Sequence, residues 1–550
     1  MKRQPTDRWD QETTLVFQVA AFTSLLSFLF YFRHGDILLY GDAVAHINIA
    51  RRVFDSRTPG LLQLGTVWLP LPHLLMVPFL LSDSGWQTGI AGSIPSLVSF
   101  VLGTAGVYRL VRSALSGDAK PSLEVRISAW LAAVIYAANP NLIYLQTTAM
   151  TEPLYLAFFI WEAVHFTEFV QDARENRGFS KSSLLKCGWC LLGACLTRYD
   201  GWFLAATIVT LTLFIWIKYR QQSGATRAFT KFLLLAAAGP LLWLAYNAAV
   251  YRNPLEFANG PYSARAIEQK SATAAMPSRP GSHDLRTAMT YFLKSAELNV
   301  AESNWHRLWL LLLLSVTLAV LFFAREHWPV LLLCTPVPFY MLCIAYAGVP
   351  VFVPVWWPFS SYNVRYGLEM LPAFAVFAAL AVHASWKLTN GRWAKVALIA
   401  AALSLAGVSY ASIWRAQPVC YREAWVNSRS RIALESVLAS NLQLFPHDAT
   451  FLMYLGDHVG ALQRAGIPLR RVINEGNHRT WKSPQDPQGL WERSLAHPQQ
   501  YVDYVIACDG DPVASYVERR DLQSVIVLRT TGQPACTIYW TRRPLGNHAG

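Results

Sequence analysis

The first charge in residues 38–56, LLYGDAVAHINIARRVFDS, is a lone carboxylate, and other ionisable side chains follow it at short intervals. Asp42 is the carboxylate, His46 follows four residues later, and Arg51 and Arg52 come near the end. A carboxylate beside a substrate hydroxyl can act as a general base, and arginine can bind phosphate. Asp is also a favoured helix N-cap, so a structural role for Asp42 stays open at this point.

A helix that begins near Ala43 sorts the residues after Asp42 into two faces. The apolar stripe consists of Ala43, Ile47, Ala50 and Phe54. The opposite side of the helix carries Asn48, Arg52 and Asp55. This pattern predicts a helix in the headgroup plane of a membrane, with its apolar side toward lipid and Asp42 at its N-cap.

Three more charged turns lie between apolar segments. They are MTEPLY with Glu152, LTRYDGW with Arg198, Tyr199 and Asp200, and SSYNVRYGLEMLP with Arg365 and Tyr366. A carboxylate at mid-depth in a bilayer costs about 2.5–3.5 kcal/mol, which makes an acid near a membrane a functional candidate. Each turn also has a structural explanation: helix capping, a salt bridge from Arg198 to an acid, or an arginine that snorkels to the surface. Four such turns on one side of a membrane are better explained by one cavity than by coincidence.

The composition is that of a membrane protein. Hydrophobic residues make up 53% of the chain and charged residues 15%, against roughly 25% charge in soluble domains. The mean hydropathy is +0.26. The net charge of +13 comes mostly from short basic loops, which favours positive-inside topology over nucleic-acid binding.

The chain is predicted to be a polytopic α-helical membrane protein with about eleven transmembrane helices. The predicted spans are 14–32, 88–107, 128–148, 153–170, 184–197, 202–217, 232–250, 306–324, 328–348, 366–384 and 396–413. Placing the basic clusters inside puts the N-terminus in the cytoplasm and the C-terminus outside, as expected for a multi-pass protein of the inner or plasma membrane.

Two outer loops interrupt these spans. The first, 33–87, ends in WLPLPHLLMVPFLLS, whose three prolines predict a kinked half-span or a surface helix rather than a full span. The second, 251–305, is polar, and its centre EQKSATAAMPSRPGSHD is expected to be mobile or ordered by substrate.

The predicted domains are a transmembrane domain, 1–413, and a soluble extracytoplasmic α/β domain, 414–550. ATFLMYLG, YVDYVIAC and SVIVLRT are typical of strands, and DHVGALQRAG and DPVASYVERR of helices. Cys508 and Cys536 lie in this domain and can pair in an oxidising compartment. The C-x-x-C of Cys187 and Cys190 lacks the partners of a zinc site.

The order of these motifs resembles the GT-C superfamily of membrane glycosyltransferases, nearest to the protein O-mannosyltransferase and aminoarabinose-transferase type. The matching pieces are GDAVAHINIARRV, WLPLPHLLMVPF, AMTEPLYLAFF, LTRYDGW and SSYNVRYGLEMLP, within residues 14–413. The resemblance implies transfer of a sugar from a polyprenyl-phosphate carrier to an acceptor hydroxyl on the outer face. The acceptor would be a glycan, a lipid or a protein. Membrane lipid would surround the transmembrane helices.

The resemblance also implies roles for residues. Asp42 takes the place of the first-loop catalytic base and Glu152 of the second acidic position. The leaving phosphate needs cations, for which Arg198 and Arg365 are the candidates. Tyr199, Asp200 and Tyr366 adjoin these two arginines and are further candidates for substrate binding. Attack opposite the phosphate would invert the anomeric centre.

Several alternatives stay open. Asp42 is followed by Ala43, so the acidic pair of the mannosyltransferase first loop is missing. His46 and His73 could orient Asp42, bind acceptor or ligate a metal. No cofactor is expected, although a divalent cation remains an option. The other functions considered are an oligosaccharyltransferase or glycan polymerase with a diphosphate-linked donor, a glycolipid transporter or flippase, and a scaffold.

Overall fold

The computed structural model describes residues 11–116, 121–174, 181–271, 279–302, 305–477, 488–517 and 522–541. They form two compact units. The helical unit comprises Met1–Gly35, Pro95–Trp243 and Ala258–Glu423, and the sheet unit comprises Asp36–Ile94, Leu244–Phe257 and Ala424–Gly550. The predicted division into 1–413 and 414–550 remains a prediction.

Apolar helices make up the helical unit. The α-helices that lie in it or enter it are Gln11–Arg33, Ile90–Ser116, Leu123–Ala137, Pro140–Leu145, Glu152–Arg174, Lys181–Cys195, Asp200–Tyr219, Ala225–Tyr251, Ala264–Ser271, Leu285–Val300, Trp305–Phe322, Pro336–Tyr346, Leu371–Leu388 and Arg392–Ala416. Two 3₁₀ segments, Arg325–Cys334 and Val364–Met370, precede helices.

Each of the eleven predicted spans contains helix, but the number of crossings remains a prediction. Seven helical stretches among the described residues are long and apolar enough to cross a membrane: Gln11–Arg33, Ile90–Ser116, Asp200–Tyr219, Ala225–Tyr251, Arg325–Tyr346, Val364–Leu388 and Arg392–Leu442. The predicted span 128–148 is broken, because Asn139 caps a second short helix whose first residue is Pro140.

The centre of the helical unit is the Leu371–Leu388 helix. Most of its side chains are buried, and it packs against Leu123–Ala137 and Trp305–Phe322. Alanines recur along it, and small side chains let neighbouring helices approach closely.

The second outer loop is more ordered than expected. Residues 285–300 of this connection form a 16-residue helix with buried Ala288, Phe292 and Ala296, and the outer loop 251–305 remains a prediction. Apolar residues recur every three or four positions there, which is the helical period. Residues 272–278, at the centre of the loop, lie outside the described residues.

The sheet unit contains a five-stranded mixed sheet. The strands are β1 Phe451–Met453, β2 Val472–Ile473, β3 Tyr504–Cys508, β4 Leu522–Leu528 and β5 Cys536–Thr541, in the order β2-β1-β3-β5-β4. β1 is parallel to β2 and β3, while β5 runs antiparallel to β3 and β4. Three strands were predicted; β2 has only two residues, and β5 was missed. A disulfide joins Cys508 to Cys536 across the β3–β5 pair.

Helices surround this sheet and the first outer loop. The α-helices in the unit or entering it are Gly41–Arg52, Leu71–Met76, Asp83–Thr88, Glu256–Asn259, Val419–Leu442, Leu455–Ala465, Leu490–Ala496 and Pro512–Tyr516. The segment 68–82 forms the Leu71–Met76 helix and a 3₁₀ turn, and neither is long enough to cross a bilayer.

Candidate functional site

The helical unit gathers charged residues from three of the predicted turns around Arg198. Nε of Arg198 donates to Asp200 at 3.0 Å, and Nη1 donates to Thr151 and Glu152 at 3.2 Å each. Nη2 donates to the Tyr340 hydroxyl at 2.7 Å and lies 3.3 Å from Glu369 Oε1. A guanidinium has five N–H groups, and these five oxygens match them. We call Glu152, Arg198, Asp200, Tyr340 and Glu369 the Arg198 cluster.

A second arginine extends the cluster. Nε of Arg365 donates to Glu152 Oε1 at 3.0 Å, and its Nη1 donates to Glu423 Oε1 at 2.8 Å. Glu423 also accepts the backbone N–H groups of Asn363 and Val364, at 3.0 and 2.9 Å. The turn that carries Arg365 is therefore fixed through its backbone as well as its side chain.

Close backbone contacts position these charges. A Cβ atom on Gly201 would lie 2.6 Å from the backbone of Ala194, so glycine is required where the Asp200–Tyr219 helix meets the preceding helix. Gly367, two residues after Arg365, would collide in the same way with the backbone of Ser295. Each glycine lies beside residues of the Arg198 cluster or its extension.

Carboxylates outnumber guanidiniums here. Glu152, Asp200, Glu369 and Glu423 are buried, and two arginines face them. One oxygen each of Glu152 and Glu369 (Oε2) is buried without a hydrogen-bond partner in the structure. Phosphate binding by Arg198 would require it to release carboxylates that already use its donors.

Two tyrosines next to the arginines have different surroundings. Tyr366 lies under both guanidiniums, with ring centroids 5.0 Å from Arg198 Cζ and 5.1 Å from Arg365 Cζ, and stacks on Tyr340. The Tyr199 hydroxyl accepts a hydrogen bond from Trp243 at 3.1 Å. Tyr199 also lines an apolar cavity of about 410 Å³ with Trp202, Phe203 and Phe339.

Asp42 lies in the sheet unit, at the start of the Gly41–Arg52 helix. The N-cap is Tyr40, which makes no side-chain capping bond, and Asp42 is the second residue of the first turn. The prediction of Asp42 as N-cap is therefore wrong by two positions. A carboxylate in the first turn still interacts favourably with the helix dipole, and the Asp42 side chain is only partly covered.

The apolar stripe of this helix faces protein rather than lipid. Ala43, Ile47 and Ala50 have no exposed surface, and Asn48 and Asp55 on the opposite side are also buried. The helix packs against the Leu71–Met76 and Leu455–Ala465 helices. The prediction of a helix lying on the membrane surface is wrong, because the sequence pattern identifies an apolar face but not what covers it.

His46 and His73 form a buried pair. Nδ1 of His46 lies 2.9 Å from Nε2 of His73, and the His46 ring packs against Trp68. Burial lowers the pKa of His73 well below 6.5, and the nearby His46 and Arg52 lower it further. His73 is therefore neutral at physiological pH, next to the helix that carries Asp42.

The two adjacent arginines of this helix differ sharply. Arg51 donates to Asp55 at 2.8 Å, to Asp83 at 2.5 Å and to the Leu80 carbonyl at 2.6 Å. Among the described residues, no hydrogen bond or ion pair engages Arg52, and its Nε is buried. Arg51 is thus a structural cation, and Arg52 retains its donors for another ligand.

One group in the described residues has the spacing of a metal site. Ligand atoms of His458, Cys508 and Cys536 lie within 4.8 Å of one another. The disulfide uses both sulfurs, so neither is a thiolate in this structure. The group does not include the predicted site residues.

The sequence-predicted residues thus fall into two groups. Glu152, Arg198, Tyr199, Asp200, Arg365 and Tyr366 lie in the helical unit, and Asp42, His46 and His73 in the sheet unit. Sequence reasoning missed Tyr340, Glu369 and Glu423. Glu369 lies within SSYNVRYGLEMLP, four residues after Arg365, so an arginine–carboxylate spacing was visible there.

No protein-family model and no curated protein matches the sequence, whereas solved structures do. The structure of ArnT from Cupriavidus metallidurans bound to undecaprenyl phosphate has a TM-score of 0.57 at 13% identity, covering 96% of this chain and 97% of that chain. Its apo structure has a TM-score of 0.55 at 14% identity, with the same coverage. The archaeal oligosaccharyltransferase AglB from Archaeoglobus fulgidus has a TM-score of 0.46 at 13% identity, covering 97% and 75%, which is too low to establish a shared fold.

The likeness to ArnT extends over nearly the full length of both chains, and at this identity it establishes the fold alone. It fits the apolar helices and the C-terminal sheet described above. We conclude that the chain is a multi-pass α-helical membrane protein with an ArnT-like fold and a small C-terminal sheet domain.

Proposed function

We propose that this protein is a membrane glycosyltransferase that transfers a sugar from a polyprenyl-phosphate carrier to an acceptor hydroxyl, with inversion. The observation that carries the proposal is the fold shared with ArnT over nearly its whole length, in a structure that holds undecaprenyl phosphate. The motif order in the sequence supports it independently. The reaction takes place on the outer face, with the N-terminus in the cytoplasm.

Asp42 is the general base in this proposal. Its carboxylate is the first charge in the helix after the first span, in the helix's first turn, where it is partly exposed. An acceptor hydroxyl has a pKa far above 7, and a positioned carboxylate that removes its proton contributes typically 10²–10⁴-fold.

Arg52 is the cation that we assign to the leaving phosphate. It retains its guanidinium donors among the described residues, whereas those of Arg198 are used by carboxylates, a hydroxyl and a phenol. Ten residues of helix separate Asp42 from Arg52, about 15 Å along the axis. An extended arginine and a sugar phosphate together can span that distance.

Asp42 and Arg52 account for the proton and the charge that the sugar transfer releases. The acceptor oxygen loses its proton to Asp42 and forms a bond to the anomeric carbon from the face opposite the phosphate. The bond from that carbon to the phosphate oxygen breaks, and its electron pair leaves with the polyprenyl phosphate, which Arg52 stabilises. A phosphate leaves without a strong proton donor, so one carboxylate suffices.

The other predicted residues keep narrower proposed roles. Glu152 stays the second candidate carboxylate, with one oxygen free of hydrogen bonds. Arg198, Asp200, Arg365 and Tyr366 hold the architecture around it, and Tyr199 lines an apolar cavity suited to a lipid chain. His46 and His73 support the Asp42 helix. No step requires a divalent cation, and metal dependence remains to be measured.

The test is Asp42→Asn, measured as release of undecaprenyl phosphate from undecaprenyl-phosphate-linked mannose or aminoarabinose by membranes that supply the acceptor. We expect the rate of undecaprenyl phosphate release to fall by about 10²–10⁴-fold, since the amide cannot take the proton of the acceptor hydroxyl. Asp36→Asn is the matched control, because Asp36 lies six residues earlier in the same loop and carries no proposed role.

Undiminished release by Asp42→Asn would overturn the assignment of the base. Release only from diphosphate-linked donors would favour an oligosaccharyltransferase or polymerase. Movement of an intact lipid-linked sugar across vesicles, without transfer, would indicate a flippase.

A further inference from the structure

We infer that the C-terminal part of the chain, residues 424–550, positions the Asp42 carboxylate by holding the Gly41–Arg52 helix at its beginning, middle and end. The inference rests on the proposed role of Asp42 as base. In this inference the C-terminal sheet domain contributes to catalysis through three contacts with the helix, and its residues in these contacts do not bind substrate.

At the beginning, Arg431 holds the backbone that leads into the helix. The N-cap residue Tyr40 makes no side-chain capping bond. Nη2 of Arg431 donates to the carbonyls of Leu38 and Leu39, at 3.2 and 2.8 Å. Its Nη1 donates to Glu435 at 2.8 Å, which fixes the guanidinium itself. The last carbonyl bound lies three residues before Asp42.

In the middle, Gln463 closes a buried amide network. Nδ2 of Asn48 donates to Gln463 Oε1 at 2.7 Å, and Nε2 of Gln463 donates to the Trp86 carbonyl at 2.7 Å. The indole of Trp86 donates back to Asn48 Oδ1 at 3.0 Å. All three side chains are at most 2% exposed, and the network joins the Asp42 helix to the Leu455–Ala465 helix.

At the end, Asp55 anchors the chain that leaves the helix. Its carboxylate accepts the backbone N–H groups of Leu469 and Arg470, at 3.3 and 3.1 Å. Arg51, within the helix, donates to Oδ2 of the same carboxylate, the oxygen that also accepts the Leu469 N–H. The C-terminal part therefore reaches the end of the helix through its backbone.

Satisfied buried polar networks specify one geometry, because any other leaves polar groups unpaired at about 1–3 kcal/mol each. A general base tolerates little displacement, and a shift of about 1 Å can reduce the rate about 100-fold. These two facts explain why a helix that carries a base is held by three polar contacts, of which the middle one is fully buried and the other two are at least partly buried.

The test compares Arg431→Ala with Arg429→Ala in the full-length protein. Arg429 is exposed, two residues away on the same helix, and contacts only Trp425 among the interactions recorded for it. Hydrogen exchange of peptides covering residues 38–46 should become about tenfold faster in Arg431→Ala and stay unchanged in Arg429→Ala. Arg431→Lys should restore part of the protection, because an ammonium can still donate to the two carbonyls.

The kinetic measurement separates positioning from general stability. With undecaprenyl-phosphate-linked mannose or aminoarabinose as donor, kcat should fall about 10- to 100-fold in Arg431→Ala, with KM for the donor changed less than about twofold. In an Asp42→Asn background the same substitution should add almost nothing, because the base it positions is already absent. Gln463→Met removes the middle contact and should lower kcat in the same way as Arg431→Ala. It replaces Arg431→Ala as the test variant if that protein does not fold.

Unchanged exchange at residues 38–46 in both Arg431→Ala and Gln463→Met would overturn the inference, as would full additivity with Asp42→Asn. If Asp42→Asn alone keeps full activity, the proposed base is wrong, whereas the exchange result still reports whether the C-terminal part holds the helix.

Discussion

Arg198 and Arg52 illustrate two ways in which this protein uses an arginine. Arg198, in the helical unit, gives all its donors to oxygens of Thr151, Glu152, Asp200, Tyr340 and Glu369. Arg52, in the sheet unit, has no hydrogen bond or ion pair with the described residues. A saturated guanidinium holds helices together, and an unsaturated one is available to a ligand.

The adjacent residues Arg51 and Arg52 repeat this contrast within one helix. Arg51 has two carboxylates and a carbonyl around it, and its guanidinium also lies over the rings of Phe54 and Trp86. The two side chains are identical in chemistry, so their surroundings alone decide their roles. Three predictions test this comparison and the surroundings of the Asp42 helix.

The largest effect is expected for Arg198→Ala. It leaves Asp200 and Glu369 buried without their cation and Glu152 with Arg365 alone. Removal of one partner from a buried pair costs on the order of 3–5 kcal/mol. We expect a marked fall in the melting temperature of the detergent-solubilised protein. Glu369→Gln is the contrasting variant, because Glu369 Oε2 has no hydrogen-bond partner among the described residues. This substitution should lower the free energy of unfolding by less than about 1 kcal/mol. Equal losses in the two variants would contradict the view of Arg198 as the centre of the cluster.

Arg52→Ala should leave the melting temperature nearly unchanged and weaken binding of undecaprenyl phosphate by about 10- to 100-fold, the value of one or two hydrogen bonds to a charged group. Arg51→Ala should instead lower the melting temperature, because the buried Asp55 keeps only the exposed Arg470 as a cation and Asp83 loses its partner. Native mass spectrometry and thermal unfolding measure the two quantities. A reversal of the two phenotypes would refute the distinction between Arg51 and Arg52.

The smallest effect concerns pH. Burial lowers the pKa of His73 in the folded protein, so below the ordinary value of 6.5 the unfolded chain binds a proton that the folded protein does not. The stability conferred by neutral His73 is therefore complete above pH 6.5 and is lost as the pH falls, by up to about 1.4 kcal/mol per unit. Melting temperatures between pH 7.5 and 5 should fall less steeply in His73→Gln than in the unchanged protein. His447→Gln, at an exposed position, should retain the original slope.

The sequence identified most of the charged groups but not their partners. The turns of Asp42, Glu152, Arg198 and Arg365 were predicted to share one cavity. The structure brings Glu152, Arg198, Asp200 and Arg365 into contact, and the inclusion of Asp42 remains a prediction. Glu423 was missed because it lies 58 residues after Arg365, beyond the predicted transmembrane domain. Tyr340 was missed because a tyrosine within an apolar segment gives no periodic or spacing signal.

The prediction of the fold was limited in the same way, because sequence patterns report only local preferences for helix or strand. The long apolar helices and three of the strands follow from hydrophobic runs and their periods. The break at Asn139 depends on a cap and a proline that the apolar run conceals. β5, CTIYWT, was missed although its β-branched and aromatic residues favour a strand, and it pairs with β3 and β4.

The sequence by itself determined that the chain is a helical membrane protein, that a carboxylate follows its first apolar helix, and that Cys508 and Cys536 can pair. These properties depend on composition and on residues close in the chain. The tertiary structure decided that the apolar side of the Asp42 helix is covered by protein and that Arg198 is surrounded by oxygens while no described residue hydrogen-bonds to Arg52. It also decided that Arg431 and Gln463 reach that helix from about 400 residues away in sequence. A periodic pattern shows which side chains share a face, whereas the neighbour that covers the face depends on contacts between distant parts of the chain.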